Sequence, residues 1–159
     1  MGIVLFRVDE RLIHGQVVVG WGNQLRLRRY VVFDDDVAAS DWEQDLYRLA
    51  LPDGVEADFH PTVAAETILP GLRSEPVRSV VLFRSLRSAA AGSGLAAGDE
   101  LNLGGLHHKP GATAVRPYLH LGTDDTEFIQ ELAARGVAVL GRDLPSSSAV
   151  TLAELLAHD

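Results

Sequence analysis

The 159 residues predict an α/β fold: a single open, doubly wound, mostly parallel sheet with helices on both faces, occupying residues 1–159 as one domain. Three observations predict it. Short apolar runs alternate with longer stretches of helical periodicity. The loops between them are two to six residues long, as in βαβ units, whose crossovers are right-handed. The first and fourth runs are apolar on both faces, the mark of strands covered from two sides.

Ile3 to Val8 is the first such run, broken only by Arg7. Gln16 to Leu27 reads as a helix with Val17, Val18, Trp21 and Leu25 on one face. Tyr30 to Phe33 is a second strand, and residues 37–51 form an amphipathic helix stopped at Pro52-Asp53-Gly54. Val55 to Phe59 is a third strand, followed by a short helix from Thr62 to Leu69 that Pro70 and Gly71 should end. Ser79 to Phe83 is the fourth strand, and part of Ser85 to Ala97 is helical. Leu101 to Leu103 begins a fifth strand, and Ala114 to Leu121 alternates like one more. Asp124 and Glu127 suggest a capping box for a helix ending at Arg135, with Gly136 as its cap. Val137 to Leu140 is the last strand and Thr151 to Ala157 a closing helix.

Composition narrows the function. With no cysteine, thiol nucleophiles, thiolate zinc sites and disulfides are excluded. The formal net charge is -8, which argues against duplex nucleic acid and anionic membranes as partners. No apolar stretch reaches the ~18 residues of a membrane helix, and the first residues lack a basic leader, so a cytoplasmic domain is expected. The charge is uneven: residues 1–29 carry five arginines (7, 11, 26, 28 and 29) against Asp9 and Glu10, +3, which leaves -11 elsewhere. A basic beginning on an acidic body hints at a local anion site.

In open parallel sheets ligands bind beyond the carboxyl ends of the strands, so the loops after strands one, four and five matter most. The first reads Arg7-Val8-Asp9-Glu10-Arg11-Leu12-Ile13-His14-Gly15-Gln16-Val17. A helix starting there offers unpaired N–H groups and a positive dipole end to an anion. Arg11 can fork onto phosphate oxygens with Arg7 adding charge, Gly15 lets backbone approach a ligand, and His14 is a competent nitrogen nucleophile. Asp9 could fix the His14 tautomer or hold Arg11. The plain alternative is a surface or packing histidine.

Other segments carry less. Gly92-Ser93-Gly94 has the wrong spacing and context for a dinucleotide loop. Asn102-Leu103-Gly104-Gly105 stands at a strand end, where glycines could turn under a ligand or simply make a tight turn. Adjacent His107 and His108 diverge on extended backbone and read as loop, without a metal. Asp34-Asp35-Asp36 reads as a helix cap rather than a magnesium site. Ser146 to Ser148 lacks a nucleophile elbow. Trp21 and Trp42, both on helices, read as packing residues.

The first-loop segment resembles, from Arg7 to Val17, the active-site signature of the IIB components of the mannose–fructose–sorbose class of the bacterial phosphoenolpyruvate:sugar phosphotransferase system (PTS). Val31-Val32-Phe33-Asp34-Asp35 is similar to that family's second strand and Asn102-Leu103-Gly104-Gly105-Leu106 to its Gly-Gly turn. Leu132, Gly136-Val137 and Pro145 fit its last third. The resemblance implies a cytoplasmic phosphocarrier. A phospho-IIA protein would pass its phosphoryl group to His14, and from there it would go to a sugar entering through membrane IIC and IID components. No nucleotide or tightly bound metal is implied. Arg11 becomes the expected phosphate clamp and Asp9 its or His14's positioner. Arg7, the N–H groups near Gly15 and Gln16, Ser85, and the Gly104–Gly105 turn complete the expected phosphate rim. Family precedent favours phosphorylation at Nδ1, and dimers occur in related systems. This chain departs at His107-His108-Lys109-Pro110-Gly111-Ala112, where the family carries an aromatic, an arginine and a Gly-Lys pair. That departure keeps open a regulatory phosphoprotein that serves no transporter.

Overall fold

The computed structural model describes residues 2–157. Its main sheet has six strands, β1 (Ile3–Val8), β2 (Arg29–Phe33), β3 (Glu56–His60), β4 (Ser79–Phe83), β5 (Glu100–Leu103) and β8 (Ala138–Gly141), in the order β3-β2-β4-β1-β5-β8. Every neighbouring pair is parallel. The run Ala114 to Leu121 is not one strand but a hairpin, β6 (Thr113–Arg116) and β7 (Leu119–Leu121), antiparallel and outside the main sheet. It is stitched on through Leu106, whose N–H donates to the Tyr118 carbonyl while its own carbonyl accepts the His120 N–H.

Each face of the sheet has its own core, because β side chains alternate. Phe6, Val8, Val31, Phe33, Val81 and Phe83 point toward α4 (Ala65–Ser74), α5 (Leu86–Ala90), α6 (Thr123–Ala134) and α7 (Leu152–Leu156). Leu5, Tyr30, Val32, Val80 and Leu82 point toward the helical segment after β1 and α2 (Asp35–Ala38). At the position after Leu5 on that second face, where another apolar residue is expected, β1 places Arg7.

Several elements depart from the sequence reading. The first helix opens as a π-helix (Gln16–Trp21), continues as α1 (Gly22–Leu25) and stops at Arg26, which is left-handed with φ 55°. Residues 37–51 are two helices: Ser40 caps Glu43 N–H and starts α3 (Asp41–Leu49). Pro70 does not end its helix: α4 runs through it to Ser74, because Ala65, Leu69 and Leu72 all bury against the sheet and outweigh one lost backbone bond. The cap of α6 is Gly122 with Asp125, whose Oδ2 accepts the Gly122 N–H at 2.8 Å, and not the Asp124–Glu127 pair. Asp34 does cap α2, accepting the Val37 N–H at 3.1 Å.

Strand order places the site. The chain leaves β1 for β2 on one side, and leaves β4 for β5 on the other. The β1 and β4 loops therefore part company over the crevice between those strands, the switch point at which open α/β sheets bind ligands.

Candidate functional site

Residues 9–15 form a compact turn over that crevice. The Asp9 N–H donates to the Phe83 carbonyl at 2.9 Å, the Glu10 N–H to the Gly105 carbonyl at 2.9 Å, and the Leu12 N–H to the Asp9 carbonyl at 3.0 Å. Leu12 holds φ 57° with its side chain fully buried. A bulky residue in the left-handed region costs about 1–3 kcal/mol and persists only where its surroundings impose it. Buried Leu12 and Ile13 anchor this strained turn while His14 and Gly15 ride above them.

Asp9 is the hub. Its side chain is 0% exposed, yet it is a carboxylate, and burial alone would make that costly. Four donors meet it: the Arg11 N–H at 3.1 Å on Oδ1, His14 Nε2 at 2.9 Å and the Gly105 N–H at 3.3 Å on Oδ2, and Arg7 Nη2 at 3.5 Å from Oδ2. Burial pushes the Asp9 carboxyl up; the hydrogen bond and attraction of His14, the Arg7 guanidinium and the Arg11 N–H outweigh it and hold the group below its ordinary range. An ionised carboxylate only accepts, so His14 Nε2 carries its proton and donates. When the ring is uncharged its lone pair is therefore at Nδ1, which makes no hydrogen bond among the described residues and is sheltered from solvent.

Arg7, expected on the phosphate rim, is elsewhere. It is 0% exposed, and Nη1 donates to the Arg142 carbonyl at 2.8 Å and Nη2 to the Asp143 carbonyl at 3.1 Å. Its guanidinium lies 5.1 Å from the Trp21 ring centre, and the Trp21 Nε1–H also donates to the Asp143 carbonyl, at 3.0 Å. Burial lowers its pKa, opposed by Asp9 and Asp143. Both terminal nitrogens are engaged and the one unpaired donor, Nε–H, is itself buried, so Arg7 shows no face to a solvent anion and is the internal counter-ion that keeps Asp9 charged. Trp21 is the packing residue expected of it.

The glycine turn is likewise spoken for. A Cβ on Gly104 would lie 2.7 Å from Arg7 Nε and nearer still to Cζ and Nη2, so glycine is required for Arg7 to lie flat. The Gly104 N–H is spent on the Val8 carbonyl at 2.7 Å and that of Gly105 on Asp9. Neither offers a donor to phosphate: the pair builds the Asp9–Arg7 seat. Ser85 also serves locally, capping α5 by accepting the Ser88 N–H at 3.1 Å.

What remains open to an anion is Arg11, Gly15 and Gln16. Arg11 is 46% exposed, and among the described residues its guanidinium holds only the Gln16 Oε1 at 3.2 Å and a long 3.9 Å contact to Asp9. The N–H groups of Gly15 and Gln16 have no partner among the described residues, and a Cβ on Gly15 would meet open space. In the loop after β4 the sequence assigns a role to Ser85 and none to its neighbour Arg84, which proves to hold the turn in place. Its guanidinium clasps Asp34 at 3.0 and 3.1 Å and its Nη1 donates to the Glu10 carbonyl at 3.0 Å. A charged residue at a carboxyl strand end was the available signal. On the other side Glu10 accepts from His107 Nδ1 at 2.8 Å, with Lys109 Nζ 3.9 Å away, so the 107–112 departure borders this turn. Among the described residues no group of three or more His, Cys, Asp or Glu is arranged to hold a metal ion.

Fold and turn together define a parallel α/β protein whose histidine is aimed by a buried carboxylate at the switch point of the sheet. Residues 3–159 match the family model of the PTS system sorbose subfamily IIB component, and the chain belongs to that family. It is 29% identical over 139 residues to the sorbose-specific EIIB component of Lacticaseibacillus casei, covering 86% of this chain and 84% of that one. It is 27% identical over 160 residues to the mannose-specific EIIAB component of Escherichia coli (strain K12), covering 98% of this chain but only 49% of that relative. The crystal structure of the IIBSor domain of the sorbose permease from Klebsiella pneumoniae superposes with a TM-score of 0.86 at 26% identity, covering 100% of this chain and 99% of that one. The chain is thus a PTS phosphotransferase with a phosphoryl-transfer role in sugar uptake.

Proposed function

We propose that His14 Nδ1 is the atom that carries the phosphoryl group. The observation that supports this most is the 2.9 Å contact of Nε2 with a fully buried, ionised Asp9, which leaves Nδ1 as the nucleophilic lone pair. In the first step the N–P bond of a phospho-IIA histidine breaks as the His14 Nδ1–P bond forms. In the second that bond breaks, a sugar hydroxyl oxygen takes the phosphoryl group, and the hydroxyl proton passes to solvent water. Nε2–H stays on Asp9 throughout, so the positive charge developing on the phosphorylated ring faces a carboxylate. Neutral imidazole is the leaving group of the second step.

Little covalent work falls to the protein; position and charge do the rest. Arg11, free of structural duties, clamps the phosphoryl oxygens, and the unpaired N–H groups of Gly15 and Gln16 complete the cradle. Because Nδ1 is sheltered, the turn around it shifts aside when the donor docks. A IIA protein as donor, joined to IIB in the EIIAB relative, fits this scheme, as do membrane IIC and IID components as the route to the sugar. No helix among the described residues is long and apolar enough to cross a membrane, which suits a cytoplasmic carrier.

The test is incubation with phosphoenolpyruvate, the general carrier proteins and a IIA protein, followed by assay for acid-labile, base-stable phosphate. Wild type should label and His14→Ala should not. An unlabelled wild type with a competent donor, or equal labelling of His14→Ala, defeats the proposal.

A further inference from the structure

Helix α3 is laid inside out. A surface helix ordinarily turns its apolar stripe to the core. Here the inward side is polar or mixed: Gln44 Nε2 donates to the Val37 and Ala38 carbonyls at 3.0 and 3.2 Å, Tyr47 stacks on Phe59, and Arg48 covers the same ring. No α3 residue is fully buried. The apolar stripe, Trp42, Leu46 and Leu49 at spacings of four and three, faces out at 66%, 53% and 81% exposure. Trp42, expected to pack, is correspondingly the odd one: it lies on this outward stripe and not among the buried residues.

The charge around the stripe is as lopsided. Residues 34–58 hold nine acids and one base, Arg48, a balance of -8, which is the whole net charge of the chain. Asp36, Asp41, Glu43, Asp53 and Glu56 form no ion pair among the described residues. Three aligned apolar anchors inside an acidic rim have the anatomy of a protein interface, apolar centre and polar edge. The rim selects the occupant. A second copy would bring -8 against -8, and an anionic lipid surface would be repelled in the same way.

We infer that the α3 face docks a protein surface of opposite character, apolar at its centre and rich in Lys and Arg around it. Cytoplasmic loops of membrane proteins have that basic bias. Resting on the functional reading above, the occupant is the cytoplasmic side of the membrane components that pass on the sugar. The geometry suits it: α2 leaves the carboxyl end of β2, so α3 begins at the edge of the sheet that carries His14. The same Asp34 that caps α2 is clasped by Arg84, which holds the Glu10 carbonyl of the His14 turn. Docking at α3 would thus set His14 beside the sugar while leaving its own turn uncovered.

The experiment compares the full chain with Leu46→Gln/Leu49→Gln and, separately, Asp41→Lys/Asp45→Lys, after melting curves show that each folds. Cosedimentation is measured with membrane vesicles containing the system's IIC and IID, and with protein-free vesicles of the same lipids. Wild type should bind only the former, less tightly as salt rises, and each variant should bind about tenfold or more weakly. Labelling of His14 by phospho-IIA should be unchanged in both variants. Equal binding by the variants, equal binding to protein-free vesicles, or wild-type self-association abolished by the Leu46/Leu49 change would each overturn the inference. Failure of His14 to label in wild type would instead overturn the functional reading, and the binding comparison does not depend on it.

Discussion

Replacing Gly104 by alanine adds one methyl group to a residue that touches neither His14 nor any phosphate, yet it should damage both stability and transfer. The new Cβ would sit 2.7 Å from Arg7 Nε and closer to Cζ and Nη2, inside van der Waals contact with a group that has nowhere to go. The guanidinium is fully buried, fixed by the Arg142 and Asp143 carbonyls on its outer side and by the Trp21 ring 5.1 Å away. Overpacking of this kind costs about 1–3 kcal/mol. The absence of room and the loosening of a buried ion pair put Gly104→Ala in the upper part, about 2–3 kcal/mol. For a chain of this size that lowers Tm by roughly 4–12 °C. Gly105→Ala is the matched control: its Cβ would stand 3.4 Å from Asp9 Oδ1, an ordinary contact, and should cost about 0.5 kcal/mol or less. Urea unfolding of the two variants, alongside single-turnover labelling by phospho-IIA, decides the matter. A Gly104→Ala protein as stable as wild type, or one that loses transfer without losing stability, would refute the packing account and restore the glycines to the phosphate rim.

Asp9→Asn keeps the shape of the hub but leaves Arg7 buried without its counter-charge; it should lose about 3–5 kcal/mol, read by chemical denaturation, and slow labelling of His14. The Asp9 carboxyl is held below its ordinary range, so its contribution is complete above the unfolded pKa of about 3.9 and drains away as pH falls through the folded value. Acid unfolding of wild type should therefore steepen below about pH 4, and the Asp9→Asn curve should be flatter there. Arg11→Ala should change stability by about 0.5 kcal/mol or less, since the side chain is half in solvent, while transfer slows by roughly 100-fold in rapid-quench kinetics. Unaltered transfer in that variant would remove Arg11 as the clamp.

Much of this was legible in the chain. Alternating apolar runs and helical stretches with short loops leave few arrangements other than a parallel sheet covered on both sides, and that is how β1 to β5 and β8 are laid. The boundary errors have local causes. Pro70 was overruled by Leu69 and Leu72, whose burial is a tertiary fact, and Gly122 with Asp125 displaced Asp124 with Glu127 because the box is chosen by which carboxylate reaches back to the N–H at the helix start.

By itself the sequence determined the sheet and the position of the 9–15 turn at its carboxyl edge, and it put Asp9, Arg11 and His14 into one contiguous motif, because periodicity and a motif are one-dimensional properties. Only the tertiary structure decided what the other charged and small residues do. Arg7 and Gly104 are 97 positions apart, and Arg7 reaches the carbonyls of residues 142 and 143 from the opposite end of the chain. Whether an arginine meets solvent or a carbonyl is set by those long-range neighbours. So it is with α3: its amphipathic pattern could be read, but which side faces the core depends on Val37, Ala38 and Phe59 across the fold.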